Sequence, residues 1–242
     1  CTAKITNNLS NRNLIINGAM NVAQRGATSN TAAAGNYTLD RWKLEHANLN
    51  EAPNITQHAL TSSDTGPWAK GFRHSFHIEN GNQSAADSND YLIVYQGIEA
   101  QNMATSGWDY TSASSYITLS YWVRSSVSQN FYHYLRGRDG TEQLYAWETG
   151  TLSANTWTKI TKTIPGHSNL QFDNDNGEGL RLTIPFYWGG NWTNNNSLNT
   201  WANYDTSNRT PDWASNWYTT NNATFEITGV QLEAGSVATD FE

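Results

Sequence analysis

Hydrophobic and polar residues alternate along most of the chain, and the period is two rather than 3.6. In residues 71–79 the shared face is Phe72, His74, Phe76 and Ile78; in 116–125 it is Ile117, Leu119, Tyr121 and Val123. Residues 179–188 align Leu180, Leu182, Ile184, Phe186 and Trp188. Residues 38–46 set Trp42 and Leu44 against Arg41, Lys43 and Glu45, the pattern of a half-buried strand. A weaker strand is expected over 54–60, and 91–99 carries apolar residues on both faces, as a central strand does. Two aromatic strands, 130–136 and 142–148, flank Arg138-Asp139-Gly140, which reads as a hairpin turn. A strand over 156–164 then runs into Pro165-Gly166. Pro185 faces away from the apolar set of its strand and predicts an edge position or a bulge, because proline donates no ladder hydrogen bond.

The last segment, residues 224–242, is the most strongly patterned. Phe225 and Ile227 alternate with Glu226 and Thr228, and the apolar side resumes one residue out of phase at Val230 and Leu232. A bulge at Gly229 accounts for the slip. Residues 13–26 read as a similarly broken strand, interrupted at Asn17-Gly18. The expectation is that the first and last strands lie together and close the sheet.

About ten such strands without an amphipathic helix predict an all-β protein, an antiparallel β-sandwich. A propeller would show repeats of roughly 40 residues, and none is found. With 242 residues, one domain over 13–242 is expected, preceded by a linker or upstream strap at 1–12. Residues 101–115 read as loop with a helical turn. The chain begins at Cys1 without an initiator Met, which reads as a fragment boundary, with a lipid-modified N-terminus as the alternative.

The strand pattern stops at about 35 residues, 189–223, and loops of that length in a compact domain are functional or disordered. Six Trp and Tyr residues among many Asn argue against disorder. Sugars present apolar C–H faces beside hydroxyls, so flat rings next to amide and carboxylate groups suit them. Trp192, Trp201, Asn203, Tyr204, Asp205, Trp213 and Trp217 supply these groups and are the candidate ligand-binding residues. The competing reading is that the Trp side chains fold inward as a small core or pack against a neighbouring subunit; one or two are expected to stay exposed.

Composition narrows the partners. A net charge of −7 and an isoelectric point near 5.3 argue against nucleic acid or anionic membranes. No apolar run reaches the roughly 18 residues of a membrane helix, no signal-peptide pattern opens the chain, and membrane insertion is not expected. One cysteine excludes an intrachain disulfide and a cysteine metal cluster. Residues 173–178 resemble the opening of a calcium loop, but Ile184 stands where the twelfth-position Glu belongs, so an Asx-rich turn is the plainer reading. His74 reads as a core residue, and no metal or cofactor is assigned. Neither a serine nucleophile elbow nor a phosphate-binding glycine loop occurs. Asp205 and Asp212 make a conceivable glycosidase pair, but any chain with 21 acidic residues offers such pairs, and the expectation is that the protein is not an enzyme.

Taken together, NLIINGAMNVAQRG at 13–26, YTLDRWK at 37–43 and ITGVQLEAGSVATDFE at 227–242 resemble a family of phage virion proteins of the marine and cyanophage type, described as tail fibre or structural proteins. YITLSYWVRS (116–125), NTWTKITKTIPG (155–166) and FDNDNGEGLRLT (172–183) extend the resemblance to nearly the whole chain. It implies a jelly-roll domain like that of carbohydrate-binding modules, carried on an extracellular virion fibre and engaging a host surface glycan or lipopolysaccharide. Other virion proteins are the further partners implied, as adaptor or decoration contacts, and fibres suggest a homotrimer. A polysaccharide depolymerase is the least favoured reading. The family carries no agreed set of binding residues, so the aromatic loop stands on its own chemistry.

Overall fold

A computed structural model describes residues 13–242; the strap expected at 1–12 lies outside the described residues. In chain order the strands are β1 (Thr28–Ser29), β2 (Lys43–Ala47), β3 (Asn54–Ala59), β4 (His74–Glu79), β5 (Tyr91–Glu99) and β6 (Tyr116–Ser125). They continue as β7 (Gln129–Gly137), β8 (Gln143–Leu152), β9 (Thr158–Pro165), β10 (Glu178–Trp188), β11 (Trp201–Asn203) and β12 (Thr224–Ala234), with short helices α1 (Ala100–Ala104) and α2 (Asn216–Thr219). They form two six-stranded sheets, β1-β3-β4-β12-β6-β9 and β11-β8-β7-β10-β5-β2. The pairings are antiparallel, and the two sheets stack as a jelly-roll β-sandwich.

The alternating residues explain the stacking. Leu92, Val94, Ile98, Leu182 and Ile184 from one sheet meet Phe76, Ile78, Leu119, Val123, Phe225 and Ile227 from the other in one buried core. Within it Trp147 Nε1 donates to Tyr121 Oη at 2.9 Å, and Tyr121 Oη lies 2.7 Å from His133 Nδ1. Full burial pushes the His133 imidazole down to about 3, so it is neutral, and in the tautomer protonated at Nε2 its Nδ1 accepts a hydrogen bond from Tyr121 Oη.

The predicted slip in β12 is a bulge. Its register against β6 shifts between Thr228 and Gln231, and Gly229 adopts φ 63°. A Cβ there would lie 2.6 Å from the Phe72 ring, so both conformation and space call for glycine. The slip keeps Val230 and Leu232 in the same core as Phe225 and Ile227.

Three expectations change. Residues 13–26 form turns rather than a strand, with Asn17 and Met20 at positive φ. They nevertheless lie along β12: Leu14 N donates to Leu232 O at 2.9 Å and Val230 N to Gly18 O at 3.0 Å. β12 itself runs between β4 and β6, so the last strand is interior and the first, β1, is at the sheet edge. The strand expected over 38–46 starts only at Lys43, because Leu39 O accepts from Trp42 N in a turn with Arg41 at φ 74°. At Pro185, where an edge position or a bulge was expected, the bulge is found: β10 is interior, its pairing with β7 ends at Thr183, and its register with β5 shifts between Pro185 and Tyr187.

On the outer face of the first sheet, Arg124 binds two buried carboxylates, Asp64 at 2.8 Å and Glu226 at 2.5 Å. Burial alone would raise the Asp64 carboxyl. Hydrogen bonds from Thr61 and Trp157, together with the Arg124 charge, hold it below the usual carboxylate range.

Candidate functional site

Segment 189–223 is ordered by its own aromatics. Trp217 is fully buried, stacks on Phe186 with centroids 5.6 Å apart, and donates Nε1 to Thr224 O at 2.9 Å. Trp201 begins β11 and donates Nε1 to Pro165 O at 2.7 Å beside Tyr145. Tyr218 stacks on Tyr187 at 4.2 Å. Trp213 is half-buried, with its ring edge-on to Phe131 and Tyr132 and its Nε1 donating to Thr210 Oγ1. The inward-packing reading therefore describes Trp201 and Trp217, which present no platform to solvent. The segment also contains a strand and a helix where a structureless loop was expected.

Trp192 and Tyr204 behave differently. Both stay half-exposed and fold over the outer face of the second sheet. With Glu45, Tyr91, Tyr95, Tyr134, Arg136, Arg181, Trp188 and Arg209 they line a cleft of about 210 Å³. The alternation of the strands puts these groups there: Tyr91 and Tyr95 face outward opposite core Leu92 and Val94, and Arg181 faces outward beside core Leu180 and Leu182. The Pro185 bulge completes the wall. It turns Tyr187 as well as Phe186 into the core and sends Trp188 to the outer face, where a uniform alternation would have buried it with Phe186.

The cleft is built from rings and guanidinium groups in contact. Trp192 meets the Trp188 ring at 5.8 Å and the edge of Tyr91 at 5.9 Å. Arg209 lies 4.2 Å from the Trp188 centroid and 4.7 Å from that of Trp192, and its Nε donates to Tyr204 Oη at 2.8 Å. Arg136 lies 3.4 Å above the Tyr204 ring, and Arg181 lies 4.1 Å above Tyr95. Each guanidinium thus fixes the plane of a ring. Glu142 and Glu178 in turn anchor Arg136 and Arg181. The result is a cleft in which rings and guanidinium groups alternate, one face of each of these rings being covered by an arginine while Tyr95, Trp192 and Tyr204 stay half-exposed, an arrangement suited to a ligand with C–H faces and hydroxyls.

Asn203 and Asp205 are exposed but do not line the cleft. Asn203 Oδ1 accepts from Gln143 Nε2 at 2.9 Å. Asp205 accepts from the Ser207 backbone and hydroxyl, which lower its carboxyl below the usual range and make it unsuited to act as an acid. Asp212 accepts from Thr193 Oγ1 at 2.7 Å. At 173–178 the backbone forms an Asx turn, Gly177 N donating to Asp175 Oδ1, while Glu178 faces Arg181. No group of three acidic, His or Cys side chains able to hold a metal occurs among the described residues. His74 is half-buried at the rim of the core, beside Asn21 Oδ1 at 3.1 Å.

A larger cleft of about 450 Å³ lies on the opposite sheet around Gly229. Its rings are already engaged: Phe241 of the C-terminal tail meets Phe72 edge-on at 4.9 Å, and Trp122 packs against Gly66. It is the seam along which the tail closes on the sheet, with Thr239, Asp240 and Phe241 of the tail in its wall.

The class defined by these features is an antiparallel jelly-roll sandwich with an aromatic, arginine-edged cleft on one sheet. No protein-family model matches the sequence, and no curated protein is detectably similar to it. Among solved structures, the chain is similar to the enzymatically active domain of tailspike protein 4 from bacteriophage CBA120, at 11% identity and a TM-score of 0.46, covering 92% of this chain and 21% of that one. It is also similar to TmCBM61 in complex with β-1,4-galactotriose, at 10% identity and a TM-score of 0.38, covering 93% of this chain and 100% of that one. A third likeness is to the CBM22-1–GH10 modules of Clostridium thermocellum xylanase 10B complexed with xylohexaose, at 9% identity and a TM-score of 0.39, covering 89% of this chain and 30% of that one. The chain thus spans well under half the length of the tailspike and xylanase chains.

Proposed function

We propose that the protein is a non-enzymatic glycan-binding module that holds a sugar chain in the cleft over β5, β10 and β7. The observation that carries this reading is the placement of the half-exposed Tyr95, Trp192 and Tyr204 around one cleft above the buried Trp188, with guanidinium groups locking the rings in position. Ring faces held rigid before binding lose little entropy when a sugar stacks on them. The carboxylates flanking the cleft support binding over hydrolysis: Glu45 is ion-paired to Lys43, Glu142 to Arg136 and Glu178 to Arg181.

The resemblance of the chain's two ends to phage virion proteins supports a biological setting for that site. In this setting the module is the receptor-binding domain of an extracellular tail fibre, arranged as a homotrimer and attaching the particle to a host surface glycan or lipopolysaccharide. The inward packing of Trp201 and Trp217 within their own chain counts against the alternative in which the aromatic segment serves as a subunit contact.

The test is binding of purified protein to host cells and their extracted polysaccharide, with Trp192→Ala and Tyr95→Ala compared with the parent. Loss of binding in both with an unchanged thermal melt is expected. Undiminished binding in both removes the cleft from consideration.

A further inference from the structure

The cleft carries more positive charge than its carboxylates neutralise, although the whole chain has a net charge of −7. Along its floor and rim runs one ladder of ion pairs. Arg136 and Arg138 share Glu142, and Arg138 and Arg181 share Glu178. Three guanidinium groups therefore face two carboxylates. Arg209 has none: among the described residues no carboxylate pairs with it, and its single side-chain hydrogen bond is from Nε to Tyr204 Oη. Its two terminal nitrogens are left with no acceptor among the described residues, on a guanidinium whose plane is held beside Trp188 and Trp192.

A guanidinium in this state is an open fork. Two parallel N–H donors match the two oxygens of a carboxylate, a sulfate ester or a phosphate ester, and the surrounding rings remove part of the water that would otherwise screen the pair. A neutral sugar would satisfy the ring faces but leave both the fork and the excess charge of the ladder uncompensated. Resting on the reading of this cleft as a glycan site, we infer that its ligand is an acidic glycan, whose anionic substituent is received by the free edge of Arg209 while the sugar ring stacks on Trp192.

The experiment compares polymers that share a backbone and differ in charge. The pairs are polygalacturonate with its fully methyl-esterified form, and dextran sulfate with dextran, measured by affinity electrophoresis of the parent, Arg209→Gln, Arg209→Lys and Trp192→Ala proteins. Retention by at least one charged member is expected to exceed that by its neutral partner on the order of tenfold or more, as a charge-assisted bidentate pair implies. The uronate pair and the sulfate pair separate the two sources of anion. Arg209→Gln should abolish the preference and Arg209→Lys should restore only part of it, with thermal melts confirming that each variant is folded. Trp192→Ala should weaken retention by charged and neutral polymers alike. Equal retention of charged and neutral partners, lost in Trp192→Ala, overturns the acidic-glycan inference and leaves the glycan site standing. Retention of none of the four, or retention indifferent to Trp192→Ala, overturns both.

Discussion

Arg209 of the aromatic segment sits 4.2 Å from the ring centroid of Trp188 on β10, joining a loop that sequence periodicity does not describe to a strand that it does. The contact exists because Pro185 bulges β10 and turns Trp188 away from the core that holds Phe186. It also divides the tryptophans of the segment into two kinds, with different consequences when they are removed.

Trp192→Ala should leave stability nearly unchanged, because the side chain is half-exposed, and should lower glycan affinity at least tenfold. Trp217→Ala should cost about 3–5 kcal/mol, the usual range for truncating a fully buried large aromatic. Denaturant melts and binding isotherms on the same two proteins separate the effects. A fully stable Trp217→Ala or an unfolded Trp192→Ala would contradict this division of the tryptophans.

Gly229→Ala should destabilise by about 1–2 kcal/mol from the left-handed backbone alone, with a further loss as Phe72 is displaced from the bulge. A shift of the thermal midpoint measures it. Gly35→Ala is the control, since its φ is also positive but nothing lies within 4 Å of the added methyl; the difference between the two reports the Phe72 contact.

Stability should depend on pH through His133. Its folded imidazole titrates near 3, below the ordinary 6.5, so in the interval between them the unfolded chain binds the proton and the folded one does not. Its contribution is complete above pH 6.5 and is lost as pH falls towards 3, with a slope of up to ~1.4 kcal/mol per pH unit. His77 is shifted the same way by burial, and Asp64, also shifted down, adds acid sensitivity only below its ordinary 3.8. Replacing His133 by Phe in a Tyr121→Phe background, which leaves no orphaned hydroxyl, should flatten the profile between pH 4 and 6.5. An identical slope in both proteins would show that His133 is not the group responsible.

Arg124→Leu should cost about 3–5 kcal/mol at pH 7, because Asp64 and Glu226 lose the cation they share while staying buried. The loss should shrink in acid, because without the Arg124 charge burial raises the Asp64 carboxyl and favours its neutral form. Chemical denaturation at the two pH values is the check.

The strands were legible because each has one face in the core, so period-two alternation wrote itself into residues such as Ile117, Leu119, Tyr121 and Val123. The Gly229 bulge was legible for the same reason, as a break in that alternation. Residues 13–26 misled because Leu14, Ile15 and Met20 are apolar without being a strand; they contribute to the core from a series of turns. Of the candidate site residues, Trp192 and Tyr204 reach the cleft, whereas Trp201 and Trp217 are spent on ordering the segment. Arg136 and Arg181 on single strands read as solvated outer-face residues, and Tyr91 and Tyr95 read only as the second apolar face of a central strand. Their shared signal is an outer face that alternates rings with guanidinium groups on neighbouring strands, and it emerges only once the strand order places β7, β10 and β5 side by side.

Indole N–H resonances report whether glycan binds over β5, β10 and β7. Titrating ¹⁵N-labelled protein with oligosaccharides from the host surface should shift the Trp192 signal most, and that of Trp188 packed beneath it, while leaving core Trp147 and Trp217 in place. Shifts at Trp122 and Trp157 on the opposite sheet, with Trp188 and Trp192 unmoved, would contradict that placement.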